Sequence, residues 1–211
     1  STKRNDAAGD PHLELSKFGS NGTNGNFGNF GRATMMRQKG AVANAVTTQA
    51  NDRVVSAGYM RPASGGKQFF VARHTIDTEH YPGWADYSFG TAGGVETQVG
   101  GDNDAEAMGV AMTPDQRIVA GGRAKVSGSN AFGVVRYLSN GTVDSSFGSA
   151  NGVTTDFGAD DLARAIAVQP DGKVMAAGKS GSKVAVARYQ TNGVLDPSFG
   201  SGGKVAFAVG D

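Results

Sequence analysis

The sequence contains no cysteine, which excludes disulfide bonds and thiolate metal sites and leaves the redox compartment open. Lysine and arginine total 20 against 19 aspartate and glutamate residues, so the chain has neither a basic nucleic-acid footprint nor an acidic tail. No apolar run approaches the roughly 18 residues that a membrane-spanning helix needs. The composition therefore predicts no nucleic-acid partner and no membrane span.

Proline is scarce, at 6 residues, whereas glycine is abundant, at 33 of 211. An ordinary domain has about 7% glycine, and here the glycines recur at matched places, which favours folded turns over disordered linker. The length suits one repetitive domain. Since the chain starts at Ser1 without a methionine, we expect a mature or trimmed product, in keeping with secretion.

A Ser-Phe-Gly motif recurs along the chain and reveals an internal repeat. Its phenylalanines are Phe89, Phe147 and Phe199, at separations of 58 and 52 residues. Two further blocks recur between these motifs: residues 50–58 resemble 114–122 and 170–178, and residues 69–74 resemble 132–137 and 184–189. Three copies of one unit are therefore present.

The copies divide the chain into five segments. We assign residues 1–26 to a Gly/Asn-rich N-terminal arm, 27–88 to repeat 1, 89–146 to repeat 2, 147–198 to repeat 3 and 199–211 to the first strand of a partial repeat 4. Phe27-Gly28, Phe30-Gly31 and Phe18-Gly19 compete as the start of repeat 1. The polar arm has few apolar groups to bury, so we expect it to be extended or mobile.

Each repeat is predicted to form four short strands. In repeat 3 these are residues 153–157, 163–169, 173–178 and 183–189, bounded by turn sequences such as Asp171-Gly172 and Asn192-Gly193. Asp-Gly and Asn-Gly favour tight hairpins between antiparallel strands. The predicted fold is all-β: a β-propeller-like array of four-stranded antiparallel blades, with three repeats and a partial fourth.

The repeat resembles a known family. Residues 171–174, 187–189 and 195–205 look like the delta-60 repeat, a bacterial propeller-type repeat of large secreted or surface proteins. The resemblance covers about residues 27–211 and is weakest in repeat 1, where His74 stands in place of the expected tyrosine. It implies a propeller architecture and placement outside a bacterial cell, and it carries neither a ligand nor catalytic residues.

An arginine and an aspartate recur together in every repeat. The pairs are Arg73 with Asp86, Arg136 with Asp144, and Arg188 with Asp196. A ring of binding charges is one interpretation. We favour a structural role in the turn between blades, because a guanidinium can hold a carboxylate or backbone carbonyls in fixed geometry.

The first pair is five residues further apart than the others, so repeat 1 contains an insertion. Four residues in and beside it could bind zinc or another divalent ion, although their spacing matches no standard motif: His74, Asp77, Glu79 and His80. Three aromatic residues there could stack on a sugar, anchor a protein or pack in the core: Tyr81, Trp84 and Tyr87.

An acidic, glycine-rich segment lies in what we predict to be the first hairpin loop of repeat 2. Asp102 and Asp104 provide oxygen ligands of the kind that calcium prefers, and Asp160-Asp161 occupy the corresponding place in repeat 3. The EF-hand spacing is absent, so solvated turn acids are the alternative. Calcium is the one cofactor that the sequence suggests; otherwise we expect none.

No catalytic motif appears in a suitable context, so a non-enzymatic role is expected. The leading hypothesis is a secreted or surface-exposed module that binds a protein or builds an extracellular assembly. A lectin-like carbohydrate-binding propeller is the alternative, and a metal-assisted hydrolase centred on the insertion is third. Because propellers usually have four to eight blades, three repeats also predict self-association, for example six blades from two chains, or pairing with another polypeptide.

Overall fold

The computed structural model describes residues 4–5, 11–16, 32–50, 53–63, 65–75 and 85–208. All regular elements in this part of the chain are β-strands. The strands are β1 (Arg4–Asn5), β2 (Pro11–Ser16), β3 (Arg32–Lys39), β4 (Val42–Gln49), β5 (Arg53–Met60), β6 (Gln68–Thr75), β7 (Gly94–Thr97), β8 (Ala105–Met112), β9 (Ile118–Val126), β10 (Ser129–Tyr137), β11 (Val153–Thr155), β12 (Asp161–Val168), β13 (Val174–Ser180), β14 (Lys183–Tyr189) and β15 (Lys204–Phe207). The prediction of an all-β fold is confirmed.

Twelve of the strands form three four-stranded antiparallel sheets, each in sequence order: β4 to β7, β8 to β11 and β12 to β15. We call these the first, second and third sheets. A three-stranded sheet of β1, β2 and β3 precedes them, and β2 contacts β4. Two of its strands lie in the stretch that we assigned to an N-terminal arm.

The sheets group the strands differently from the repeats. The sequence placed residues 153–157 at the start of repeat 3, but β11 pairs with β10 and completes the second sheet. In the same way β15 pairs with β14 and completes the third sheet, so it does not open a fourth. The reason is the connection between the third and fourth strands, residues 138–152 in the second sheet, whose last turn follows the Phe-Gly and directs the chain antiparallel to the third strand.

Three glycines allow each second strand to pair closely with a bulged first strand. A register shift interrupts each first strand, between Ala107 and Gly109 in the second sheet. A Cβ on Gly122 would lie 2.0 Å from the Glu106 carbonyl oxygen. In the same way, a Cβ on Gly58 would lie 1.8 Å from the Val42 carbonyl oxygen, and a Cβ on Gly178 would lie 1.9 Å from the Leu162 carbonyl oxygen. The repeated glycine is therefore required by the bulge opposite it.

The sheets stack face to face. One core cluster lies between the first and second sheets and includes Val55, Phe69 and Tyr137, each fully buried. A second cluster lies between the second and third sheets and includes Val134 and Val174. The first strand of each sheet lies at the centre of this stack. β8, the first strand of the second sheet, contacts β4 and β12, the first strands of the other two sheets. The stacking agrees with a propeller-like array, while the number of blades stays a prediction.

Candidate functional site

The recurring arginines form the centre of a junction at the end of each sheet. Arg136 donates from Nε to Asp144 Oδ2 at 2.8 Å and from Nη2 to Ser146 Oγ at 3.0 Å. Its guanidinium carbon lies 4.8 Å from the centre of the Phe147 ring. Arg73 makes the same contacts with Asp86, Ser88 and Phe89. Arg188 contacts Ser198 and Phe199 in the same way, and its Nε forms an ion pair with Asp196 Oδ2 at 2.8 Å without a hydrogen bond. The structure thus pairs each arginine with the aspartate that its spacing suggested.

Each junction aspartate also pairs with a second cation, which the sequence reasoning missed. Arg117 Nη1 lies 3.1 Å from Asp144 Oδ2, and Lys173 Nζ lies 3.2 Å from Asp196 Oδ2. A cation recurs at the start of the second strand of each repeat, and this recurrence in the sequence could have revealed the second ion pair. Arg53 occupies this place in the first junction.

The junction aspartates are held ionised by these contacts. The hydrogen bond from Ser198, with Lys173 and Arg188 nearby, lowers the pKa of Asp196 to about 2. For Asp144, burial acts to raise the pKa, but the hydrogen bonds from Ser146 and Arg136 outweigh it and the pKa is lowered. For Asp86, burial also acts to raise the pKa, but the hydrogen bonds from Ser88 and the charges of Arg73 and Arg53 outweigh it and the pKa is lowered.

Two of the three arginines also reach the next sheet. Arg136 Nη1 donates to the Thr191 carbonyl oxygen at 2.6 Å, and Arg73 Nη1 donates to the Ser139 carbonyl oxygen. These carbonyls belong to the turns that follow β14 and β10. Arg188 contacts residues of its own junction, and the described part of the chain has no later sheet whose turn could reach it.

The outer face of the third sheet, which is the face turned away from the second sheet, is apolar and exposed. Phe207 is 50% exposed, and four further apolar side chains beside it are partly exposed: Met175, Val184, Val186 and Val205. The residues that match Val184 and Val186 in the other sheets are fully buried: Phe69, Val71, Phe132 and Val134. The same face is therefore covered in two sheets and exposed in the third.

The predicted aromatic and metal-binding residues are only partly within the described residues. Asp77, Glu79, His80, Tyr81 and Trp84 lie outside them. His74 is fully buried near the end of β6, at the position of Tyr137 and Tyr189. Tyr87 is 68% exposed beside the first junction.

The acidic segment of repeat 2 joins two sheets, which corrects its assignment to a hairpin loop. Asp102 Oδ2 accepts the Gly128 amide at 2.6 Å, and Asp104 Oδ1 lies 3.2 Å from Arg123 Nη2. In the corresponding part of repeat 3, burial raises the pKa of Asp161, which is the first residue of β12. Within the described ranges, no three histidine, aspartate or glutamate side chains are placed to share a metal ion.

A groove of about 490 Å³ lies beside the second junction, between the turns that join the first two strands of the second and third sheets. Asp115 and Arg117 line one side of it, and Asp171 and Gly172 line the other. Gly172 and its counterpart Gln116 both have positive φ, at 81° and 65°. The groove therefore carries charges of both signs.

The described residues include no helix long and apolar enough to cross a membrane. No curated protein matches the sequence. Residues 113–147 and 169–199 match a family model described as a domain of unknown function (DUF5122) β-propeller. These segments contain the second junction and most of the third, with the strands β9, β10, β13 and β14. These two segments are therefore similar to the DUF5122 β-propeller domain, and the resemblance of the repeat to the delta-60 repeat family is confirmed.

Proposed function

We propose that this chain is a non-enzymatic β-propeller-type module that binds a protein, and that the outer face of the third sheet is its binding surface. The observation that supports this proposal is the difference in burial between equivalent positions. Val134 is fully buried in the second sheet, whereas Val186 is partly exposed in the third. Phe207 extends the exposed patch to the last strand.

A protein partner suits this face better than a small molecule. The face is the side of a sheet, and its equivalents pack against a whole neighbouring sheet. Burying apolar surface contributes about 25 cal/mol per Å², so a large, flat partner gains most. Contiguous exposed apolar patches commonly mark protein interaction sites.

We also propose an extracellular location, as a secreted protein or a structural component of a surface assembly. The support is the resemblance to the delta-60 repeat. Localisation is measured by fractionating the producing cells and detecting the chain in the medium and on the surface. Recovery in the cytosol alone would contradict this part of the proposal.

A photo-crosslinking amino acid tests the binding surface. Benzoylphenylalanine replaces Phe207 in one sample and Val46 in another, in the organism that produces the protein. Val46 is the matched control because it is also apolar, lies on a strand and is 60% exposed, but it belongs to the first sheet. We expect a defined protein crosslink from position 207 and none from 46. No crosslink from position 207 would overturn the proposal.

Carbohydrate binding is the second candidate. The observation in its favour is Tyr87, whose ring is 68% exposed and can stack on a sugar. A glycan array with the wild type and a Tyr87→Ala variant tests it. Binding that disappears in the variant would support a lectin-like role, and an array without signal would dismiss it.

A further inference from the structure

Two glutamines join the first and second sheets beside the first junction. Gln49 ends β4, and Gln116 lies in the turn between β8 and β9. Gln49 Nε2 donates to the Gln116 carbonyl oxygen at 3.0 Å, while Gln49 Oε1 accepts from Arg73 Nη1 at 3.2 Å. The Gln116 side chain accepts the Ala50 amide at 2.9 Å in return. Gln49 is 9% exposed, so the arginine and the turn enclose its carboxamide. We call this arrangement the glutamine bridge.

The second and third sheets lack the glutamine bridge at the equivalent place. Its members Gln49, Ala50 and Gln116 correspond to Thr113, Pro114 and Gly172. Proline has no amide hydrogen and glycine has no side chain, so neither can make the contacts of its counterpart. The Thr113 hydroxyl stays within its own turn, where it accepts the Arg117 amide at 2.8 Å. The groove of about 490 Å³ beside the second junction therefore lies where the bridge would be.

The groups that hold the Gln49 carboxamide have counterparts in this groove. Arg136 matches Arg73, but within the described residues its Nη1 donates only to the Thr191 carbonyl oxygen, whereas Arg73 Nη1 has two acceptors. The Gly172 carbonyl oxygen matches that of Gln116, and no donor from the described part of the chain reaches it. Both Arg136 and Gly172 line the groove. The groove thus presents one donor and one acceptor in the arrangement that encloses a carboxamide at the first junction.

A primary carboxamide matches these two groups better than a charged group does. Its oxygen accepts a hydrogen bond while its nitrogen donates one. A carboxylate has no hydrogen to donate to the Gly172 carbonyl oxygen, and an ammonium group has no lone pair to accept from Arg136. The volume of the groove falls in the range of small-ligand sites, so the groups that carry the carboxamide can also lie in it.

We propose that the groove beside the second junction is a binding site for a primary carboxamide, such as a glutamine side chain, held by Arg136 and the Gly172 carbonyl oxygen. The ligand takes the place that the Gln49 carboxamide fills at the first junction. The residues that line the groove do not include those of the outer face of the third sheet. The site therefore adds a second binding function that does not depend on the first.

Nuclear magnetic resonance of the isotopically labelled full chain tests the site with capped amino acids. The probe is N-acetyl-glutamine methylamide, and the matched glutamate and methionine derivatives share its backbone amides but lack the carboxamide. We expect saturable shifts of the Gly172 amide and of the Arg136 Nε–H with the glutamine probe. The other two should bind about tenfold more weakly, which corresponds to the loss of one hydrogen bond. Free glutamine distinguishes the sources: tighter binding than the capped probe identifies the amino acid, and weaker binding identifies a glutamine within a peptide.

Two variants close the groove from opposite walls. Thr113→Gln supplies a side chain like that of Gln49, and Gly172→Gln supplies one like that of Gln116. Glutamine suits position 172 because Gln116 itself has a positive φ of 65°. Thr142→Gln is the control, since Thr142 is exposed and lies outside the groove.

Binding of the glutamine probe should be lost in both closing variants and kept in the wild type and in Thr142→Gln. Circular dichroism identifies the variants that keep the β-sheet fold, and a closing variant that fails to fold leaves the other to decide. The inference would be overturned by the absence of saturable shifts in the wild type, or by equal affinity for the three capped probes. Unchanged binding in a folded closing variant would overturn it as well.

Discussion

The second and third junctions offer a matched test of how the sheets are held together. Replacing Arg136 or Arg188 with methionine removes the same local contacts, since both arginines bind an aspartate, a serine and a phenylalanine ring. Arg136 differs in donating a further hydrogen bond to Thr191 of the next sheet. Methionine keeps much of the apolar volume, so the comparison isolates the polar contacts.

The expected costs follow from burial. Breaking a buried ion pair costs about 3–5 kcal/mol because the remaining charge stays buried. Arg136 is 5% exposed, but Asp144 keeps Arg117, so we expect a loss of about 3 kcal/mol for Arg136→Met. Arg188 is 19% exposed and Asp196 keeps Lys173, so about 1 kcal/mol is expected for Arg188→Met. The deeper burial of Arg136 and its contact across sheets together account for the difference of about 2 kcal/mol between the two variants.

Urea unfolding followed by circular dichroism measures both free energies of unfolding. Both variants should be made in a Phe207→Asp background at low micromolar concentration, so that self-association does not stabilise the third junction. Unchanged dependence of the free energy on urea would show that both variants unfold the same structure. Equal losses for the two variants would refute the reasoning, because the local contacts alone would then explain the stability.

Three further predictions concern acid, a hydroxyl pair and a glycine. Because the pKa of Asp196 is lowered to about 2, the ionised carboxylate contributes fully to stability above pH about 4, and this contribution is lost as the pH falls towards 2. The urea concentration at the midpoint of unfolding should therefore drop over this pH range. The drop should be smaller in the Asp196→Asn variant, which has no carboxylate at this position. Tyr137→Phe leaves the buried Thr97 hydroxyl without its hydrogen-bond donor, so the free energy of unfolding measured by heat or urea should fall by about 1–2 kcal/mol. An unchanged free energy of unfolding would contradict this contact. Gly122→Ala should lower the free energy of unfolding by more than about 3 kcal/mol or prevent folding, since the new Cβ would collide with the Glu106 carbonyl oxygen. A variant that is as stable as the wild type would disprove the bulge geometry.

The strands of the second and third repeats could be predicted from the sequence because their signals are local. Asp171-Gly172 marks a hairpin through a positive φ that glycine tolerates, and Gly172 has a φ of 81° in the structure. The predicted strand at 183–189 has the same bounds as β14. The strand assignments therefore depended on neighbours a few residues apart, which the sequence displays.

The grouping of strands into sheets could not be read in the same way. Residues 153–155 have a strand pattern, but that pattern does not say whether they pair with the strand before or the strand after. Pairing with β10 is decided by the turn at Gly148 and Gly152, both at positive φ. Whichever strand residues 153–155 pair with, the spacing of the repeat along the sequence is the same. The three recurring motifs could therefore be found from the sequence, although the boundaries of the sheets differ from those of the repeats.

The sequence by itself determined the all-β character, the number of recurring units and the partners of the junction arginines. These follow from alternation, turn chemistry and fixed spacing along the chain. Only the tertiary structure decided which surface is exposed. Val134 and Val186 lie in equivalent strands, yet Val134 is fully buried and Val186 is partly exposed. The difference arises because burial depends on what packs against a side chain in space, and the third sheet has no later sheet in the described part of the chain.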